Sequence, residues 1–200
     1  GLFVFESKLT QEFRLHFDEK IAEMFQSIGI REGSVWIEVF HDGENYYFNE
    51  VGFRYGGSVS IYPVDYFYQI NQVAADIHYA LTGESCISEH TSLIRSTLPR
   101  KKYYCIYPVH INAGTISSIS GLDKIAQLEN IVYLATTKYL HDRIESSGSF
   151  SQVFALVHFV CNTTEECIQT IDRIHQMLVV FDEHGNNMVN RMLDVGKIIF

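Results

Sequence analysis

The sequence predicts an α+β protein: an antiparallel sheet with packed helices, followed by a small α+β C-terminal domain. Three observations carry that expectation. Two apolar runs alternate with period two about an Asp42-Gly43 turn signal, the pattern of a β-hairpin. Ahead of them Leu9, Phe13, Phe17, Ile21, Met24, Phe25 and Ile28 recur at helical spacing, and Gly29 stands where a helix C-terminus is favoured. From about residue 86 the texture changes to short strands and turns.

Taken in order, the first helix leads into the hairpin. Asp65 then offers a cap for a helix whose apolar stripe includes Ile70, Val73, Ala74, Ile77 and Leu81, ending near Gly83. The rings of Tyr66, Phe67, Tyr68 and Tyr79 on it read as core packing. The boundary between sections falls between Thr82 and Lys102, giving expected domains over residues 1–90 and 91–200. In the second section residues 103–110 read as a strand, 121–130 as a short helix and 131–145 as mainly extended. Ser146-Ser147-Gly148-Ser149 turns the chain into a strand over 150–161. Thr163 followed by Glu166 is a capping-box signal for a helix through Ile168, Ile171, Ile174, Met177 and Leu178, and the tail at Gly185-Asn186-Asn187 is turn-like.

The chemistry concentrates in residues 34–57, where acidic and basic groups enter strands that otherwise read as core. On the first run Trp36, Glu38 and Phe40 share a face; on the second, Phe48, Glu50, Gly52 and Arg54 do. Unpaired burial of such charges costs several kcal/mol, so they should meet a metal, a ligand or each other. Glu38 and Glu50 reach the same sheet face only if the connection has an odd number of residues or the ladder carries a bulge. Two carboxylates that close repel unless a divalent cation lies between them, and magnesium suits such all-oxygen ligation. An ordinary surface hairpin, with its acids in water and paired to Lys or Arg, stands as the alternative.

Glu38, the run Glu50-Val51-Gly52-Phe53-Arg54-Tyr55-Gly56-Gly57, then Pro63-Val64-Asp65 and a helix ending Ala80-Leu81-Thr82-Gly83-Glu84, together resemble the C-terminal half of an ATP-grasp domain. That family has a Glu on one strand and Glu-x-Asn-x-Arg on the next, and activates a carboxylate with ATP as an acyl phosphate for attack by an amine or other nucleophile. The resemblance implies that Glu38 and Glu50 bind Mg2+ or Mn2+ bridging the ATP phosphates. Arg54 would hold the substrate carboxylate or transferring phosphoryl group, and the amides of Gly56 and Gly57 would cradle an anion. Gly52 departs from the pattern, standing where the family has its Asn ligand; Asn49, a water or a substrate oxygen could fill that place. The family's glycine-rich phosphate loop, nucleotide-binding lysines and amino-terminal substrate domain would all precede residue 1. The partners implied are ATP, a small carboxylate, an amine and the missing N-terminal half of the enzyme, with a homodimer also compatible. The later section resembles the small domain that closes amino-acid-ligase-like members.

Composition narrows the classes. Formal net charge is -9 and the pI about 5.4, and Arg100-Lys101-Lys102 is the largest basic cluster, which argues against nucleic acid as the main partner. No apolar run approaches a membrane span, and the opening residues are too short for a secretory signal. Lacking an initiator Met, the chain reads as a fragment or processed segment. The cysteines read as buried thiols without zinc spacing, and His158 as a satisfied core position. A cytoplasmic, non-zinc protein is the economical expectation. Besides the ligase, two other readings stand: a binding or regulatory module that kept the fold but lost ATP chemistry, and an interaction domain whose acids are surface charges.

Overall fold

A computed structural model describes residues 1–87, 102–148, 150–191, 193–194, 196 and 198. The expected domain boundary, and Arg100-Lys101 of the basic run, fall on residues 88–101, outside the described residues. The chain forms two compact units: Gln11–Leu98, and a second made of Gly1–Thr10 with Pro99–Phe200.

The first unit is built on a hairpin. Strands β2 (Trp36–His41) and β3 (Tyr46–Gly52) pair antiparallel. Helix α1 (Lys8–Ser27) lays Phe13 and Phe17 against Tyr46 and Phe48, with the four ring-to-ring separations between 5.3 and 5.9 Å. Such offset and edge-on aromatic pairs dock a helix on a sheet face with little else to help. Arg14 of α1 donates to the Tyr68 hydroxyl at 2.7 Å. Asp65 does not cap a helix; that expectation is corrected. It lies inside α2 (Ile61–Tyr68), which ends where Gln69 turns left-handed at φ 57°, and a separate α3 (Gln72–Thr82) begins behind Asn71. Asn71 is the true cap, its side chain accepting from the Ala74 amide at 3.0 Å, and Gly83 closes the helix with φ 74°.

The second unit carries a four-stranded antiparallel sheet in the order β1-β4-β8-β6 and a three-stranded one in the order β7-β5-β9. Here β1 is Phe3–Phe5, β4 Tyr103–His110, β5 Gly114–Ser120, β6 Ile131–Thr136, β7 Arg143–Ile144, β8 Val153–Cys161 and β9 Val179–Asp182. Among the described residues the extended stretch expected over 131–145 is thus two strands separated by a turn. The strand expected over 150–161 opens with a 3-10 turn at Phe150–Gln152. The short helix is α4 (Leu122–Ala126), and α5 (Thr164–Met177) packs Cys167, Ile171 and Ile174 into the core. Strands β4 and β8 are buried almost end to end, which explains why residues 153–161 read as a continuous apolar run. His158 lies in the middle of it, buried as expected, with a 2.9 Å hydrogen bond between its Nδ1 and the Tyr104 hydroxyl, while its buried Nε2 makes no hydrogen bond among the described residues.

The Thr163 capping signal holds. Its hydroxyl accepts from the Glu166 amide at 3.2 Å, while the Glu166 carboxylate reaches back one residue further than a standard box, to the Asn162 amide at 2.6 Å. Gly121 precedes α4 at φ 95°, and a Cβ there would collide with the Met177 carbonyl. Thr163→Ala should therefore cost about 1 kcal/mol. Gly121→Ala should cost more, because the clash with the Met177 carbonyl adds to about 1–3 kcal/mol of backbone strain. Urea unfolding followed by circular dichroism checks both.

Candidate functional site

One extra residue arranges the hairpin. From His41↔Tyr46 to Val39↔Phe48 the two strands pair in simple register; the next pair is Glu38↔Glu50, so Asn49 is left over as a bulge. Because neighbouring residues alternate faces, the shift places Phe48 and Glu50 on opposite sides of the ribbon. Phe48 was expected to share a face with Glu50; the bulge corrects that. Val39, Tyr46 and Phe48 turn toward α1, and Glu38 and Glu50 stand directly opposite each other on the other side, together with Trp36 and Gly52. The connection itself is the four residues Asp42 to Asn45, an even number, so the bulge alone makes the carboxylates meet.

Arg54 lies just past the end of β3 and folds back over Gly52. Its Nη2 donates to Glu50 Oε1 at 3.1 Å and its Nη1 to the Tyr55 carbonyl at 3.1 Å. The side chains of Arg54 and Glu50 remain 53% and 51% exposed, so this ion pair is water-screened and contributes little stability. Glu38 is half-buried and accepts from Asn49 Nδ2 at 2.6 Å. Thus Glu38, Glu50 and Arg54 converge on one open face, and Asn49, the bulge residue, touches the first of them.

The glycines divide. At Gly56 a Cβ would collide with the Trp36 ring and the Ser60 hydroxyl, so this glycine lets the chain pass beneath Trp36. Gly57 is exposed and has open space around its α-carbon. Gly52 faces Trp36 in the ladder, and a side chain there would begin 3.2 Å from Arg54 Nε. The volume that an Asn at this position would use is filled by arginine.

Two further groups frame the site. Asp76 of α3 accepts from the Tyr55 hydroxyl at 2.7 Å and from the Ser34 hydroxyl at 3.1 Å, tying the segments on both sides of the hairpin to one helix. That bond raises the Tyr55 phenol above its ordinary range, with burial adding to it. In sequence Asp76 looks like any helical acid facing water. At the far end Asp42 accepts from the Glu44 and Asn45 amides at 2.9 and 2.8 Å and from the Tyr47 hydroxyl at 2.8 Å. These bonds, the Asn45 amide first, hold its carboxyl well below the usual range.

No protein-family model matches the sequence, and no curated protein matches it. Solved structures do. An L-amino acid ligase from Bacillus licheniformis superposes with a TM-score of 0.72 at 22% identity, over 92% of this chain and 44% of that one. Phosphoribosylglycinamide synthetase from Anaerococcus prevotii gives 0.71 at 13% identity, over 91% and 45%. The biotin carboxylase domain of Hydrogenobacter thermophilus 2-oxoglutarate carboxylase, solved as a dimer with MgADP and bicarbonate, gives 0.65 at 14%, over 94% and 39%. This chain has the fold of the C-terminal part of an ATP-grasp enzyme. It spans less than half the length of each of these ATP-grasp structures. Among the described residues no helix is long and apolar enough to cross a membrane.

Two outcomes check the frame of the site. Asp76→Ala strips two hydroxyls of their acceptor and should destabilise the first unit by about 1–3 kcal/mol, measured by amide exchange across the hairpin. The depressed Asp42 value means that its contribution to stability is fully present above the ordinary carboxylate range and is lost as pH falls through the lower folded value. An NMR titration should find Asp42 still ionised at pH values where model aspartates are protonated, and Asp42→Asn should remove the corresponding acid-induced loosening of residues 42–47.

Proposed function

We propose that this chain supplies the metal- and substrate-binding side of an ATP-dependent carboxylate–amine ligase. The observation that carries the reading is the pairing of Glu38 with Glu50 on the open face of the hairpin, with Arg54 folded onto Glu50. The named activities of the superposed enzymes, an amino acid ligase and a phosphoribosylglycinamide synthetase, support the class. The donor set fits a hard divalent cation. Two carboxylates on directly opposed residues, with Cβ atoms about 5 Å apart, can each turn an oxygen to one cation, and Asn49 and Arg54 engage only Oε1 of Glu38 and of Glu50.

Glu38 and Glu50 would hold Mg2+ or Mn2+, which when bound neutralises phosphate charge. Arg54 is placed to recruit the carboxylate substrate or the transferring phosphoryl group: its planar fork already makes one charge-assisted contact and can re-aim from Glu50 to an incoming anion. Gly57, with free space around it, can let a ligand approach the backbone; Gly56 holds the segment in place beneath Trp36. Phosphoryl transfer depends on positioning and charge stabilisation, and these residues supply both. A nucleotide-binding wall facing this surface would come from chain outside these 200 residues. The first unit leaves apolar side chains for such a wall to cover: Phe40 and Phe53 are 59% and 61% exposed.

A non-catalytic binding module is the second reading, favoured by Gly52 and by the arginine filling the space above it. Three variants separate the two. In this chain, Mn2+ should broaden NMR signals around Glu38 and Glu50, and Glu50→Gln should abolish that effect. In the full-length protein Glu50→Gln should lower carboxylate-dependent ADP formation by about 100-fold or more, while Arg54→Lys should mainly raise the KM for the carboxylate. Gly52→Asn must displace Arg54 from its present position; a gain in metal affinity with turnover retained marks a ligase centre short of one ligand. Unchanged ADP formation in Glu50→Gln would make the hairpin a scaffold.

A further inference from the structure

Three of the four cysteines meet inside the second unit. Cys105 comes from β4, Cys161 from the end of β8 and Cys167 from the first turns of α5, and they are 0%, 2% and 0% exposed. In the ladder Cys105 pairs with Phe159 and Cys161 with Tyr103, so the two lie diagonally on one face, the face on which α5 packs. Their sulfurs are 3.8 Å apart, and all three sulfurs lie within 4.8 Å of one another. All are free thiols. Sequence spacing could not show this, since residues 105, 161 and 167 belong to three separate elements.

Three facts point beyond core filling. A cysteine buried as a small hydrophobe packs its sulfur against carbon, whereas here the sulfurs pack against one another. A tetrahedral zinc ion with Zn–S bonds of about 2.3 Å spaces its thiolates about 3.8 Å apart, so one edge of such a site is already formed and the others need to close by less than about 1 Å. Cys161 also lines a cavity of about 380 Å³ with Lys102, Glu129, Asn162, Glu166 and Arg173. Cys161 thus sets that cavity beside the cluster. A divalent ion with three thiolates carries a single net negative charge, and Lys102 and Arg173 at the rim can offset it.

We infer that Cys105, Cys161 and Cys167 form a thiolate site for one Zn2+ ion, with the fourth position open to water from the cavity. Each ligating sulfur releases its proton to solvent, and soft thiolates select zinc over the hard cation that suits the carboxylate hairpin. No further His, Asp or Glu joins the three ligands among the described residues. The ion would staple two neighbouring strands to the start of α5. The proposal runs against the non-zinc expectation drawn from spacing, and it is independent of the ligase reading.

Cobalt(II) is the probe. It is added to the reduced 200-residue chain both natively and during refolding from urea, because the sulfurs are buried. One equivalent should produce thiolate-to-cobalt charge transfer in the near ultraviolet together with tetrahedral d–d bands, and zinc should bleach both. Cys167→Ser should remove the three-thiolate signature and abolish the rise in Tm that zinc gives the parent chain, while Cys86→Ser, at an exposed cysteine, should leave the bands intact. Absence of the bands in the reduced parent, or their survival unchanged in Cys167→Ser, would overturn the site and return the three thiols to apolar packing.

Discussion

The candidate site depends on one unpaired residue in a two-stranded ribbon. Without Asn49 as an extra residue the ladder would stay in the register set at His41↔Tyr46, and Glu38 would face away from Glu50. The bulge reverses facing along β3 alone: Tyr46 and Phe48 turn to the helix, Glu50 and Gly52 to open surface. A single insertion thereby converts one stretch of chain into a hydrophobic dock at one end and a charged face at the other. Asn49 also donates to Glu38, so the residue that breaks the register helps orient the carboxylate it has repositioned.

Rigidity comes from outside the ribbon. Asp76 clamps the segments before and after the hairpin through Ser34 and Tyr55, and Asp42 gathers the turn amides at its tip. Both are carboxylates accepting hydrogen bonds, a role in which charge strengthens the bond. Neither is a candidate ligand. They fix the two ends of the strands so that Glu38, Glu50 and Arg54, all in reach of water, need not be held by their own contacts.

Much of this was legible in the sequence, because period-two alternation and helical spacing are local signals. The hairpin, α1 and its closing glycine, the strand over 103–110 and the Thr163 cap all follow from residues within a few positions of one another. The need for a bulge or an odd connection followed from parity, but which of the two occurs did not, since Asn49 looks no different from a ladder residue. Asp65 misled because acidic residues also occur inside helices, and the real start at Asn71 was hidden because it sits within the apolar stripe that runs through Ile70 and Val73. Pairings between distant segments left no trace. The three cysteines and the grip of Asp76 on Tyr55 each join segments that no spacing rule connects, and β5 and β9 became visible only through their partnership.

The opening residues have a further consequence. Strand β1 pairs with β4, Phe3 against Ile106, so the first ten residues complete a sheet whose other strands begin a hundred positions later. The first unit is threaded as an insertion within the second. During synthesis β1 must wait, unpaired, until the whole hairpin unit and then β4 have emerged. Closing so long a loop slows assembly, although each doubling of its length costs only about 0.6 kcal/mol. The hairpin unit can form while its host is still incomplete. The order of emergence is thus written into the connectivity, and the sheet can seal only after the whole of the inserted segment has been made.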